Sequence, residues 1–450
     1  MKWTRKSVRV NSRRGSIGLI LILLTAMVLF AVVALAFDIG HIMCTQTQLQ
    51  AAVDAAALAG ATELLAGVGC FATKTPAQVE AAARPVAVEF AGYHPNGDLA
   101  HSYADPSRDV AFGHATFNSV TKKWDCAWGT AHSPYNMVKV TLRRDQTGSS
   151  NGDAPLPLLF ARLIGYSTQK MAVDATAVVM PANGFRGKAN SIIPFAFRDT
   201  MWARLQQAQA WYDQHHVIPT NPSTPEYQLF FIQKRDNQGD LVFDKKTGQP
   251  VYEQDTFDNY AAVPVDGRSA TVTANSPDGW LEVNMYPQKF TSLAPGNAGT
   301  VDLGDTSNSA SAIKEQILYG LSESDFSAMD AQGLLTNGAF ILGGDNQVTA
   351  NANSDTGISG GPIDQGFQQI LGQSRVMVIF TDPLIGHGGG TVYFTLTQFA
   401  GVRIMNVRMQ TSNKHIDVQM APLLDGDAIA DLDSDVGDNT TVFAPLMLIE

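Results

Sequence analysis

From Ile17 to Phe37 the chain carries no charged side chain, and Thr25 is the one clearly polar residue in that run. As a helix, its about 21 residues rise roughly 30 Å, the thickness of a bilayer's hydrocarbon core. Before it stands a tip with Lys2, Arg5, Lys6, Arg9, Arg13 and Arg14 and no acid, and after it comes Asp38. That excess of cations predicts an N-terminus kept in the cytoplasm and a remainder sent across the membrane. We therefore expect a cytoplasmic basic tip over 1–16 and a transmembrane helix over 17–37.

A basic tip before an apolar run also begins cleaved secretory signals, whose apolar core is usually about 7–15 residues and ends at a small-x-small site. Here the run is longer and passes without a turn-former into helix-favouring sequence through about Leu65. Processing near Gly15 is a third route. Arg13-Arg14-Gly15-Ser16 resembles the start of type IV pilin-like precursors, which are cut after the glycine. Such precursors usually carry Glu five residues after the cut, where this chain has Ile20. A new amine left uncompensated inside the membrane is costly, so the expected chain is uncut and membrane-bound.

Beyond the apolar run, Ala52, Ala55, Ala56, Ala59 and Gly60 recur at three- and four-residue spacing. On a helix they form one smooth stripe that another backbone can approach closely. Either the chain's own domain or a partner helix fits it, and alanine is also simply the best helix former. Residues 46–61, with Gln50, Ala52, Asp54, Ala55, Ala56, Ala57, Leu58, Ala59, Gly60 and Ala61, resemble the N-terminal signature of TadG-like (TadE/TadG-type) proteins of bacterial tight-adherence (Flp) pilus assembly. The resemblance covers residues 13–65. It implies one spanning helix that continues outside the membrane, other pilus or envelope proteins as partners, and a helix-docking role for Ala52, Asp54, Ala55, Ala56, Ala59 and Gly60.

At 450 residues with 45% hydrophobic content, the chain can bury two or more cores. The net charge of −11 includes the six cations of the tip, so the remainder carries −17. Nucleic acid is an unsuitable partner for such a surface. Thirty-nine glycines and sparse charge suit a loop-rich, strand-rich extracytoplasmic region. Export would place Cys44, Cys70 and Cys126 where disulfides persist, and Cys70 with Cys126 is the expected pair, beside free thiols or an intermolecular bridge through Cys44 as alternatives. No C-x-x-C is present, so no zinc ribbon or redox motif is indicated.

The expected fold class is α+β. A pilin-like α+β domain over 38–180 holds a helix at Pro76–Ala91, strands at Asp109–Phe117 and Asn136–Arg144, a short helix at Leu156–Leu163 and a strand near Lys170–Val179. Pro181-Ala182-Asn183-Gly184 reads as a linker. A β-rich domain over 181–422 follows, with helices at Thr200–His215, Ser309–Leu321 and Ile363–Leu371. Its strands are expected at Tyr227–Lys234 and Asp240–Phe243 around an Asn237-Gln238-Gly239 hairpin, then at Ala270–Ala274 and Leu281–Tyr286. An antiparallel sheet over Arg375–Thr381, Thr391–Phe399, Val402–Met409 and His415–Met420 closes it. Residues 423–450 read as an acidic tail.

Three constellations could carry chemistry. Gly357-Ile358-Ser359-Gly360-Gly361 fits the nucleophile elbow, which needs a strand before and a helix after; the polar stretch before it and Pro362 after it favour a glycine-rich turn. Asp305-Thr306-Ser307-Asn308-Ser309, with Asp382 after the Val376–Thr381 strand, resembles the metal-ion adhesion site of von Willebrand A domains, where hydroxyls and carboxylates suit Mg²⁺. That plan needs a mostly parallel sheet, so a helix capped by Ser307 or Ser309 is the plainer reading. Asp425, Asp427, Asp431, Asp433, Asp435 and Asp438 include the alternate carboxylates of a calcium loop, but the glycine comes one place late and Val442 stands where the twelfth-position Glu belongs. The histidines, including His215-His216, lack ligand spacing.

We therefore expect a non-enzymatic, single-pass protein of the cytoplasmic membrane, its bulk extracytoplasmic, acting in pilus assembly or as a minor pilin-like component. No cofactor and no small-molecule substrate are expected, Mg²⁺ or Ca²⁺ being the cations its sites could suit. The alternative is a membrane-anchored adhesion or ligand-binding protein built around Asp305, with an envelope hydrolase behind it.

Overall fold

The computed structural model describes residues 14–234, 236, 240–264, 270–285, 300–304, 309–344, 346–351, 361–385, 392–409, 415–437 and 440–449. Helix α1, Arg14–Thr62, runs unbroken for 49 residues, roughly 73 Å at 1.5 Å per residue. Its first half is apolar on every side and touches no core: Leu21 is 66% exposed and Phe30 75%. That segment is long and apolar enough to cross a membrane. From Asp38 onward the helix is drawn into the protein, with Thr45, Leu49, Ala52 and Val53 buried.

The first domain packs α1 and a second helix on a small antiparallel sheet. Helix α2, Pro76–Gly92, starts at a reciprocal cap between Thr75 and Gln78 with proline in its first turn. Strands β1 (Val110–Asn118), β2 (Lys123–Trp128), β3 (Met137–Arg144) and β4 (Met171–Val178) form an antiparallel sheet in the order β2-β1-β3-β4. Along β3, Val138, Val140 and Leu142 face the helices while Lys139, Thr141 and Arg143 face out. Strand β2, Lys-Trp-Asp-Cys-Ala-Trp, escaped the sequence reading although Trp124, Cys126 and Trp128 alternate, and as an edge strand it buries neither face. Buried Asn136 bridges the gap before β3, accepting from the Ala115 N–H at 2.7 Å and donating to its carbonyl at 2.9 Å.

Between the sheet strands, the expected helix at Leu156–Leu163 is replaced. Leu156–Pro157 pairs with Thr168–Gln169, and only Ala161–Ile164 winds, as a 3-10 turn. The backbone N–H groups a helix would need are held elsewhere, by Asp38.

The second domain is built on a sheet containing β5 (Ile192–Arg198), β6 (Thr256–Phe257), β7 (Glu282–Asn284), β8 (Ser374–Ile385), β9 (Val392–Arg408) and β10 (His415–Met420), in the order β6-β7-β10-β9-β8-β5. All these neighbours are antiparallel except β5 with β8. The parallel pair needs a crossover, and α3 (Asp199–His215) begins it. Both faces of β8 are covered: Met377 and Ile379 pack under α3, α4 (Ala310–Tyr319) and α5 (Gly361–Gln369), while Val376, Val378 and Phe380 meet Phe185, Phe340 and Phe394. The expected strand over Tyr227–Lys234 is shorter, since Tyr227–Phe230 is helical. The Asn237-Gln238-Gly239 hairpin lies outside the described residues.

Two expected boundaries are corrected. The linker Pro181-Ala182-Asn183-Gly184 is instead the start of Ala182–Arg186, the central strand of a three-stranded sheet with Ala339–Ile341 and Ala428–Ala430. The acidic tail folds back over both domains. Leu423–Leu424 pairs with Val442–Phe443, and Met447–Ile449 closes the first sheet against β4. Val442 enters the second domain's core and its neighbour Phe443 the first domain's, which strand alternation makes possible. Three of the aspartates that suggest solvation bond to distant parts of the chain: Asp425 accepts from the Ser191 hydroxyl, Asp427 from Asn190, and Asp435 meets His114 at 2.9 Å.

The sequence also suggests a break at Ala400-Gly401, yet β9 runs through it for 17 residues. Gly401 is needed for close approach: a Cβ there would strike the carbonyl oxygens of Ala421 and Thr441, and its N–H donates to the Thr441 hydroxyl at 2.8 Å. We predict that Gly401→Ala destabilises the protein by about 1–3 kcal/mol through overpacking and frees the C-terminal segment first. Limited proteolysis of the full chain in detergent should clip near residues 423–449 in the variant before the parent. Identical digestion patterns would remove this segment from its role as a seam.

Candidate functional site

The most distinctive surface of the chain is α1 after it leaves the apolar run. Ala52 and Ala56 are fully buried, and Ala59 and Gly60 are buried beside them. Ala52, Ala56 and Gly60 face α2, whose Ala83, Ala87 and Ala91 are equally small, and the inner face of β3. A Cβ added at Gly60 would lie 3.3 Å from the Ala87 Cβ and 3.6 Å from Val138. Small residues on both helices thus bring two backbones together. Of the six residues expected to dock a partner helix, the four buried ones are occupied by the chain's own domain, because α2 and the sheet lie against this part of the helix. Asp54 and Ala55 sit half-buried on the open flank, where Gln50 donates to Asp54 across one turn at 2.8 Å.

Asp38 marks the point where the helix leaves its apolar surroundings. It is 2% exposed and accepts from the backbone N–H groups of Leu159 at 2.8 Å, Phe160 at 3.1 Å and Ala161. Desolvation pushes its pKa up, but the three N–H donors outweigh it and hold the carboxyl below the ordinary aspartate range. The carboxylate therefore stays charged at neutral pH and pins the 159–161 backbone to α1.

The cysteines are free. Cys126 is exposed on the edge strand β2, whereas Cys70 packs against the second domain's core and donates its N–H to the Thr440 carbonyl. The expected Cys70–Cys126 bond is not formed, since the seam holds one residue and solvent surrounds the other. Burial also pushes the Cys70 thiol well up, away from reactive thiolate. Cys44 is exposed on α1.

At the adhesion-like motif, Asp305 and Ser307 lie outside the described residues. Ser309 is the helix cap, accepting from the Ala312 N–H at 3.2 Å at the start of α4. Asp382 lies on β8, in a sheet that is mostly antiparallel rather than mostly parallel. Residues 357–360 of the elbow-like motif are also outside the described residues, and Gly361 begins α5.

The sequence reading missed an acidic cluster of Asp258, Asp278 and Glu282, whose ligating oxygens lie within 4.8 Å of one another. Oxygen ligands of this kind suit a hard divalent cation. Asp258 accepts from the Tyr212 hydroxyl and the N–H groups of Asp278 and Gly279. Fully buried Glu282 accepts from the Asn259 N–H through Oε2, while Oε1 has no partner among the described residues. Burial first, then the charges of Asp258 and Asp278, push the Glu282 carboxyl up to about 9. No spacing signal could have found the trio, because an irregular segment and a strand bring it together. Nearby, Glu63 and Ala66 of the turn after α1 meet Trp280 and Arg403 around a cavity of about 370 Å³ at the junction of the domains.

Residues 15–63 match a family described as "Putative Flp pilus-assembly TadE/G-like", and residues 46–177 match one described as "Putative Tad-like Flp pilus-assembly". Together they run from the start of α1 to β4 and overlap on the alanine block. No curated protein and no solved structure matches the chain.

Two outcomes follow from this packing and titration. Ala56→Leu should overpack the α1–α2 contact and cost about 1–3 kcal/mol, whereas Ala55→Leu on the open flank should leave thermal stability nearly unchanged; equal losses would refute this assignment of faces. For Glu282 the folded pKa is raised, so stability is fullest below the unfolded value of 4.5 and falls as pH rises towards about 9. Glu282→Gln should match the parent near about pH 5 and exceed it near about pH 8. Parallel stability–pH curves for the two proteins would contradict it.

Proposed function

We propose that this chain, which is TadG-like over residues 15–177, is a non-enzymatic, single-pass component of a Flp-type pilus-assembly apparatus. The first half of α1 is its anchor in the cytoplasmic membrane, with the basic tip inside and everything beyond Asp38 on the extracytoplasmic side. The observation that carries the reading is the double character of one 49-residue helix. Its apolar half is exposed all round, as a lipid-embedded helix requires, and its alanine-rich half is the central helix of a folded domain. Such a helix transmits the position of the membrane rigidly to the domain.

Contact with other envelope proteins then falls to surfaces the domain leaves open, including the α1 flank with Gln50, Asp54 and Ala55. An assembly component of this kind works by holding partners in place. The buried, hydrogen-bonded polar groups of its two cores serve that rigidity. A bound cation at Asp258, Asp278 and Glu282 would be structural on this reading.

The N-terminus provides the test. Intact-mass measurement of the chain purified from membranes of its host should return the uncut sequence, since Ile20 stands where processed precursors usually carry the carboxylate that compensates the new amine. Chains beginning at Ser16 would assign it to the processed pilin-like class, and chains beginning past Ala36 would abolish the anchor. Loss of surface pili on deleting the gene is the accompanying functional outcome, and unchanged piliation would overturn the assembly role.

A further inference from the structure

Beside α1 the chain carries a second apolar surface that the first domain does not use. Between the paired segments Leu156–Pro157 and Thr168–Gln169, the loop exposes Leu159, Phe160, Leu163, Ile164 and Tyr166. Leu163 is 81% exposed and Ile164 75%, in a stretch of eight residues that also carries exposed Arg162. Side chains this large and this close together are seldom left to water.

The loop's position says what covers it. Asp38, the first residue after the apolar run, holds the backbone of Leu159, Phe160 and Ala161, and the rings of Phe37 and Phe160 lie 6.0 Å apart. The apolar tip is therefore tied to the level at which the apolar run of α1 ends, continuous with the exposed ring of Phe37. Tyr166, Arg162 and Lys170 at its rim are the residue types that settle among lipid headgroups, where rings are half wet and cations meet phosphates.

We propose that the 159–166 loop inserts into the bilayer surface from which α1 emerges, giving the protein a second membrane contact beside its anchor. The inference rests on the spanning role of α1. Two contacts side by side fix the tilt of the helix and the rotation of the first domain about it, where a single helix would leave both free. Asp38 acts as the tie between them, its charge shielded by the three backbone donors of the loop itself.

Nitroxide accessibility in the full chain tests this. In a background of Cys44→Ser, Cys70→Ala and Cys126→Ser, single cysteines are introduced as Ile164→Cys, Leu29→Cys and Val120→Cys. Val120 is 90% exposed on the β1–β2 turn and is the aqueous reference. The labelled proteins are reconstituted in vesicles of phosphatidylethanolamine and phosphatidylglycerol, and relaxation by oxygen, which enters lipid, is compared with that by a water-soluble nickel chelate. The label at 164 should be oxygen-rich and nickel-poor, between those at 29 and 120. A label at 164 that reads like the one at 120 while 29 reads as lipid overturns the insertion and leaves the anchor standing. A label at 29 that reads as water removes the anchor and the insertion with it. Shielding at 164 from both reagents means a second copy of the chain covers the loop, and this also overturns the proposal.

Discussion

The packing of α1 on α2 through alanine and glycine is the contact on which the rest of the structure depends. Ala52, Ala56 and Gly60 against Ala83, Ala87 and Ala91 bring the helices close. The sheet can then close over both with Val138, Val140 and Leu142. Larger side chains would separate the helices and lift the sheet from one of them. Because α1 is also the anchor, the same contact joins a lipid-soluble segment to a water-soluble domain without a hinge. The small residues thus do a mechanical job, and their burial explains why the stripe is not offered to a partner.

The C-terminal segment is the second constraint. Thr440 accepts from Cys70 in the first domain, Thr441 accepts from Gly401 in the second, and Val442 and Phe443 enter opposite cores. Glycine is required on both sides of the seam. At Gly69, φ is +72° and a Cβ would meet the Thr440 carbonyl and the Phe443 ring; Gly401 lies equally close to Thr441. Chain ends are the part of most domains least tied down, so a terminus bonded to both domains makes their relation part of the fold. The final strand, Met447–Ile449, completes a sheet begun more than 300 residues earlier.

Two buried carboxylates show how environment decides charge. Asp38 and Glu282 are both removed from water, yet three backbone donors hold the first ionised while neighbouring aspartates and burial hold the second protonated. The first serves as a permanent tie between the 159–161 backbone and the end of the apolar run of α1. The second makes the second domain's stability depend on pH across the neutral range, a property that the overall charge of the chain would not suggest.

The sequence by itself determined the anchor, the helical continuation through the alanine block, helix α2 and the alternating strands β3 and β4. In each of these a local pattern, either an unbroken apolar run or a period of 3.6 or 2, coincides with the burial it specifies. Only the tertiary structure decided what the stripe packs on, since small residues permit close approach without naming the neighbour. It also decided that 423–449 is a seam and not a tail: the aspartates from Asp425 to Asp435 read as solvated, and the apolar residues after Thr441 do not name the strands they pair with. The same holds for the continuity of β9 through Gly401, the separation of Cys70 from Cys126, and the meeting of Asp258 with Asp278 and Glu282. These rest on contacts between distant segments, and no local period encodes such contacts. The loop at 159–166 belongs to both: its apolar residues are plain in the sequence, but only the hydrogen bonds of Asp38 place them beside the end of the apolar run.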